Sequence, residues 1–250
     1  MVKVYIDGNE LSEAAIKNWE SERVISSVKL LERKTGKTLS ITNADELADF
    51  KDSIPQNIML GMLQSQIRLT EFTTNMVVKM SHGKRCFSVT EIDVDFCDAA
   101  TLRRYYDDMM LNNTDRNRKS CLRANPDHYL LRATGENVQE VVEFTGAMPI
   151  VSHFFICYGD FDGLMSKKED DYPYQAAGVS YMENGIAIGA VRHQMKDTEN
   201  GCHVKLTVEF PEKMPKKYLV QHQFHLACEF FNWFTDIEQR VRTEKGKSKK

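Results

Sequence analysis

Two Asn-Gly pairs constrain this chain most. Asn184-Gly185 and Asn200-Gly201 each sit in a short polar linker between segments of alternating apolar character. Asn-Gly tolerates the left-handed backbone that two-residue turns demand, so it is the strongest short hairpin signal. Segments 176–182, 186–194 and 203–210 are therefore expected to be strands of an antiparallel meander. Pro215 then opens a helix of about 28 residues that reaches about Thr243, because proline suits the first helical position. Antiparallel strands closed by one long helix imply an α+β fold with the helix laid on the sheet. A cavity between helix and sheet is the natural ligand pocket of that layout.

The same alternation marks 86–94, 129–133, 138–145 and 152–158 as further strands. Asp98 can cap a helix from Ala99 to about Met110. Residues 112–123 are polar and read as a loop, and Glu169-Asp170-Asp171 forms an acidic loop. Near the start, Ile16, Trp19, Val24, Ile25, Val28 and Leu31 recur near the helical period over 12–35. A second helix begins after Asn43, an N-cap residue type. After Pro55, segment 57–78 fits either helix or strands. The expected division is a mostly helical region at 1–80, a sheet-and-helix domain at 81–244, and a disordered basic tail at 245–250.

Composition narrows the function class. The chain has 250 residues, 42% apolar and 28% charged, with a net charge of −3. That balance argues against a general nucleic-acid or membrane-surface role. No run approaches the roughly 20 apolar residues of a membrane span. The first residues lack the charged head and apolar stretch of a signal peptide. Cys86, Cys97, Cys121, Cys157, Cys202 and Cys228 form no C-x-x-C pair. Free thiols in a reducing, cytoplasmic compartment are expected.

Candidate chemistry gathers on the last helix. His225 and Glu229 are four residues apart, so they share one face and can offer two ligands to one metal ion. His222 lies on the same stripe. The plainer reading is a solvated face, with Phe224, Ala227, Phe231 and Phe234 on the other side. Glu143 interrupts the apolar strand Val141-Val142-Glu143-Phe144-Thr145. A carboxylate facing a core must be paired or bound to metal, whereas by alternation it could equally face solvent. His128 follows the turn sequence Asn125-Pro126-Asp127. Arg192 and His193 point to opposite faces of one strand, so only one can face a cavity.

These pieces come in a suggestive order. Tyr105-Tyr106 is followed by Asn125-Pro126-Asp127-His128-Tyr129, then by Val141-Val142-Glu143-Phe144-Thr145-Gly146, and near the end by His225-Leu226-Ala227-Cys228-Glu229-Phe230-Phe231-Asn232. Across roughly 85–240 the chain resembles the diacetylphloroglucinol hydrolase and phloretin hydrolase family, zinc-dependent enzymes that remove acyl groups from phloroglucinol rings. The first 80 residues contribute nothing to the resemblance. It implies a helix-grip fold, like that of Bet v 1 pathogenesis-related and START lipid-transfer domains. It also implies a zinc ion held by two glutamates and two histidines, with Glu143, His225 and Glu229 on three of those positions. The family's fourth ligand, a histidine soon after the paired aromatics, is replaced here by Asp107-Asp108-Met109-Met110. Met110 falls nearest, and Asp107 is the other candidate.

Two functions are therefore expected in competition. One is a zinc-dependent hydrolase cleaving a carbon–carbon bond between an acyl group and a polyhydroxylated aromatic ring, as in polyphenol degradation. His193, Tyr106 and His128 are its candidate catalytic residues, with His193 and Tyr106 as proton donors. The other is a non-catalytic helix-grip protein that binds a small apolar or aromatic ligand and carries a degenerate metal site. Both imply a small aromatic or acyl-aromatic partner and no nucleic acid or membrane, with a homodimer as an allowed assembly.

Overall fold

The computed structural model of the protein describes the backbone of residues 1–247 and the side chains of residues 1–244. Its strands are β1 (Val2–Ile6), β2 (Asn9–Leu11), β3 (Arg85–Val94), β4 (His128–Gly135), β5 (Val138–Glu143), β6 (Ser152–Tyr158), β7 (Tyr174–Tyr181), β8 (Ala187–Thr198) and β9 (Gly201–Pro211). They form one sheet in the order β2-β1-β3-β9-β8-β7-β6-β5-β4. Every pairing is antiparallel. The helices are α1 (Glu13–Thr35), α2 (Ala44–Asp52), α3 (Gln56–Ser81), α4 (Ala99–Leu111), α5 (Asp115–Ala124) and α6 (Lys216–Lys247). The long helix α6 lies along the inner face of the sheet, which is the helix-grip α+β arrangement.

The core explains why. Leu226, Phe230, Phe234 and Ile237 of α6 meet Ile92, Val204 and Leu206 of the sheet and Leu102 of α4 in one apolar cluster. Burying each such side chain contributes about 1.5–3 kcal/mol. On its other side α6 packs against α1 and α5. His222, His225 and Glu229 are consequently 4%, 1% and 8% exposed, so they do not form a solvated face.

Two local expectations need correction, and one expected hairpin forms for a different reason. Segment 112–123 is not a loop. Thr114 accepts a hydrogen bond from Asn117 N at 3.1 Å and caps α5. The helix buries only a narrow stripe, Asn117, Cys121, Leu122 and Ala124, and leaves the rest polar, which makes it look like loop in sequence. The N-terminal region also holds strands. Asp7 and Gly8 both have positive φ, at 51° and 76°, and turn β1 into β2. β1 then pairs with β3, Val4 opposite Ile92, so the first residues belong to the sheet. The second Asn-Gly pair makes the expected hairpin, with Thr198 opposite Gly201, but its glycine acts differently from the first. Gly185 has φ 79° in a tight turn, but Gly201 is needed for space, since a Cβ there would lie 1.9 Å from Val94 O.

Segment 57–78 resolves as helix, within α3. Of the basic tail expected from 245, residues 245–247 continue the backbone of α6 and 248–250 lie outside the described residues. No helix among the described residues is long and apolar enough to cross a membrane.

One glycine fixes how β5 meets α6. Gly146 sits in the 3-10 turn Thr145–Ala147 just after β5, with φ +58°. A Cβ there would lie 2.7 Å from Tyr218 O and 3.0 Å from His222 Cβ. Only glycine allows both this approach and this backbone. The end of β5, and Glu143 with it, is thereby held against the face of α6 that carries His225.

Candidate metal centre

Four side chains from three elements converge at one end of the inner cavity. His128 opens β4, Glu143 closes β5, and His225 and Glu229 lie one turn apart on α6. His128 and Glu143 are cross-strand partners. His128 Nε2 lies 3.7 Å from Glu143 Oε2 and 3.4 Å from Glu229 Oε1. His225 Nε2 lies 3.6 Å from Glu143 Oε2 and 3.8 Å from Glu229 Oε2. The donor atoms of His128, Glu143 and His225 all fall within 4.8 Å of one another.

This set fits a metal ion on three counts. Donors placed about 2.0–2.1 Å from a tetrahedral zinc lie about 3.3–3.4 Å apart; the four imidazole–carboxylate separations of 3.4–3.8 Å come close, with Glu229 turning one oxygen to each histidine. The donor chemistry, two imidazoles and two carboxylates, suits zinc. Third, His128 Nε2 is buried and makes no hydrogen bond. Its Nδ1 lies 2.7 Å from Cys121 O. A carbonyl only accepts, so Nδ1 carries the proton and Nε2 turns a lone pair inward. A backbone carbonyl behind a ligating histidine is the usual supporting contact.

The electrostatics of the cluster call for positive charge. Burial opposes ionisation of Glu143, but the adjoining His225 overrides it and holds the carboxyl at about 2. Burial likewise opposes charge on His225, yet Glu143 and Asp127 hold it up at about 10. Burial raises Glu229 to about 8 against the pull of His225, and burial pushes His128 down to about 4. Two carboxylates in one buried site cannot both ionise without a cation between them. Without a metal ion, protons on His225 and Glu229 take that role.

Behind the cluster stands Asp127, fully buried, whose Oδ2 lies 3.8 Å from His225 Nδ1. That is too long for a hydrogen bond, but it directs a negative charge at the ring. Arg23 Nε reaches both Asp127 oxygens at 2.9 Å. Lys51 of α2, 2% exposed, donates to Pro126 O at 2.5 Å and His128 O at 2.6 Å. Burial lowers its ammonium to about 7.

The cluster faces a cavity of about 110 Å³ lined mainly by apolar side chains, to which Glu143, His225 and Glu229 contribute. Tyr106, Tyr158 and His193 line it too. The Tyr106 and Tyr158 hydroxyls are 3.3 Å apart, and Tyr158 donates to Gln139 Oε1 at 3.0 Å. Burial pushes Tyr106 well above its ordinary range and His193 down to about 3. Tyr106 therefore holds its proton and His193 is a neutral imidazole. His193 Nδ1 is buried without a partner, and the ring lies edge-on to Phe230 at 5.1 Å. Arg192 points the other way and bonds Ser166 and Gln175.

Among the residues singled out in the sequence, Glu143, His225 and Glu229 come together. His128, first read as catalytic, stands in the cluster as a fourth donor. Asp107 does not approach it; the carboxylate pairs with Arg103 at 2.8 Å on the partly exposed side of α4. Met110 lines the cavity, but its sulfur accepts from Gln139 Nε2 at 3.0 Å. His222 lines the cavity, stacks on His225 at 5.4 Å and lies 3.0 Å from Ser88 Oγ. Asp127, Lys51 and the Cys121 carbonyl were not singled out, and a buried lysine gives no sequence signal.

No family model matches the chain, and no curated protein matches it. One solved structure similar to it is titled "Crystal structure of Ara h 8.0201", with 12% identity and a TM-score of 0.39, covering 64% of this chain and 99% of that chain. At that level the likeness carries no argument, and the helix-grip description stands on the sheet order and the placement of α6.

Proposed function

We propose that this protein is a zinc-dependent hydrolase that cleaves the carbon–carbon bond between an acyl group and a polyhydroxylated aromatic ring. The observation that carries the reading is the convergence of His128, Glu143, His225 and Glu229 at the end of an apolar cavity. The resemblance to the phloroglucinol-acyl hydrolases supplies the reaction class. A missing fourth ligand favours the degenerate-site alternative, and the position of His128 beside Glu143 and Glu229 weighs against it.

His128, Glu143, His225 and Glu229 would hold the ion. When bound, zinc supplies Lewis acidity for a carbonyl and a lowered pKa for water. The protein's own groups do the rest. The apolar wall, with Phe230, Leu226 and Val191, holds the ring and excludes water. The ring departs as a carbanion equivalent, tolerable because its hydroxyls allow the keto tautomer. A proton must then reach ring carbon, and Tyr106, which keeps its proton and faces the cavity, is the donor, while the neutral His193 is left to hydrogen-bond the substrate. The cavity is smaller than the roughly 150 Å³ that accepts benzene in an engineered core. A one-ring substrate therefore enters with movement of Met110, Met148 and Met214, side chains suited to repacking.

The test is to incubate the zinc-loaded protein with monoacetylphloroglucinol and follow acetate and phloroglucinol. Equimolar release of both that stops with a chelator supports the reading. Zinc-loaded protein that binds the ketone without turnover favours the non-catalytic binder.

Zinc uptake should also be steeply pH-dependent. His225, at about 10, and Glu229, at about 8, are protonated in the metal-free protein at neutral pH. Zinc requires both deprotonated. Protons therefore compete with the ion, and affinity rises with pH. Proton release on zinc binding should therefore be largest at and below neutral pH and shrink as pH rises. Calorimetry in buffers of different ionisation enthalpy counts the protons; zero protons released at pH 7 contradicts the protonation scheme.

A further inference from the structure

The turn Asn125-Pro126-Asp127-His128 delivers both a donor, His128, and the carboxylate behind His225. Within the turn, Asn125 Oδ1 accepts from Asp127 N at 2.9 Å, and Asn125 Nδ2 donates to His225 O at 3.2 Å. The remaining anchors come from the N-terminal helices, residues to which the resemblance gives no role. Ser27 of α1 donates to Pro126 O at 2.6 Å and accepts from Tyr129 OH at 3.0 Å. Arg23 of α1 holds Asp127. Lys51 of α2 bridges Pro126 O and His128 O and lies 4.2 Å from the Tyr129 ring centroid.

An ammonium in this position is unexpected for stability alone. Burying one is expensive, and well-packed apolar side chains commonly replace buried charge without loss. What the lysine head provides is several donors on one compact centre. Two of them fix carbonyls on either side of Asp127, so the peptide units that aim His128 and Asp127 cannot rotate independently.

We infer that Lys51 is a positioning residue of the metal centre, and that α1 and α2 serve to lock the 125–128 turn in its metal-binding geometry. This rests on the zinc reading above. Outer contacts of this kind typically change metal affinity by about 10–100-fold.

The experiment compares wild type, Lys51→Met and Val4→Ala as full chains, with zinc chloride as the only ligand. Zinc affinity is read by competition with a chromophoric chelator, and melting temperature is read with and without zinc. Val4 is a buried residue of β1, paired with Leu11 and Ile92 in the sheet, so Val4→Ala reports simple destabilisation. Lys51→Met should weaken zinc binding at least about tenfold and shrink the zinc-induced rise in melting temperature. Val4→Ala should lower melting without altering that rise. If Lys51→Met is no weaker in zinc affinity than Val4→Ala, the positioning role is overturned while the zinc reading stands. Wild type that binds no zinc overturns the zinc reading itself, and this inference with it. If Lys51→Met does not fold, Ser27→Ala, which removes the other donor to Pro126 O, carries the same comparison.

Discussion

Glu143→Gln should weaken zinc binding about a hundredfold to a thousandfold. Four-ligand zinc sites contribute apparent binding energies of about 10–16 kcal/mol, so one of four donors accounts for about 2.5–4 kcal/mol. Each 1.4 kcal/mol is about a factor of ten. Glutamine keeps the volume at the end of β5, so the Gly146 turn and its seat on α6 are undisturbed. The loss should therefore appear in metal affinity, with the circular dichroism of the chain unchanged. Unaltered zinc affinity in this variant would mean that the ion, if any binds, sits elsewhere.

Arg23→Met should be the most destabilising single change outside the core. Asp127 is fully buried, and Arg23 is the cation that reaches both its oxygens. Removing one partner of a buried ion pair leaves an uncompensated charge and costs about 3–5 kcal/mol. For a chain of this size each kcal/mol shifts melting by about 2–4 °C, so a fall of about 6–20 °C is expected in a thermal melt. Arg23→Met, Asp127→Asn together should recover part of it, because the amide has no charge to leave stranded. A single variant that melts within about 2 °C of wild type would show that the pair contributes little.

Much of this architecture is legible in the sequence. The meander around Asn184-Gly185 and Glu199-Asn200-Gly201, the α4 cap at Asp98 and the helix after Pro215 all follow from local turn and capping chemistry. So does the coupling of His225 and Glu229, which depends only on helical spacing. What stays hidden depends on tertiary context. α5 looks like a loop because its stripe against α2 and α6 is narrow. The Asp7-Gly8 hairpin is locally plain, but its strands are short and gain meaning only by pairing with β3. The fourth donor is hidden by register. Gly135 faces Val138 at the hairpin end, so a regular ladder would place Leu130 opposite Glu143. Two register shifts, between Ala133 and Gly135 and between His128 and Leu130, bring His128 there instead. Bulges of this kind leave little trace in composition or periodicity, so a histidine 15 positions before Glu143 reads as an isolated turn residue.

The zinc content of the purified full chain bears most directly on the central claim. Elemental analysis after dialysis against metal-free buffer, followed by titration with zinc chloride, should give one tightly held zinc per chain, lost in Glu143→Gln. A chain that neither carries nor takes up zinc, or that binds it equally well without Glu143, would mean that His128, Glu143, His225 and Glu229 are a buried polar network and not a metal centre.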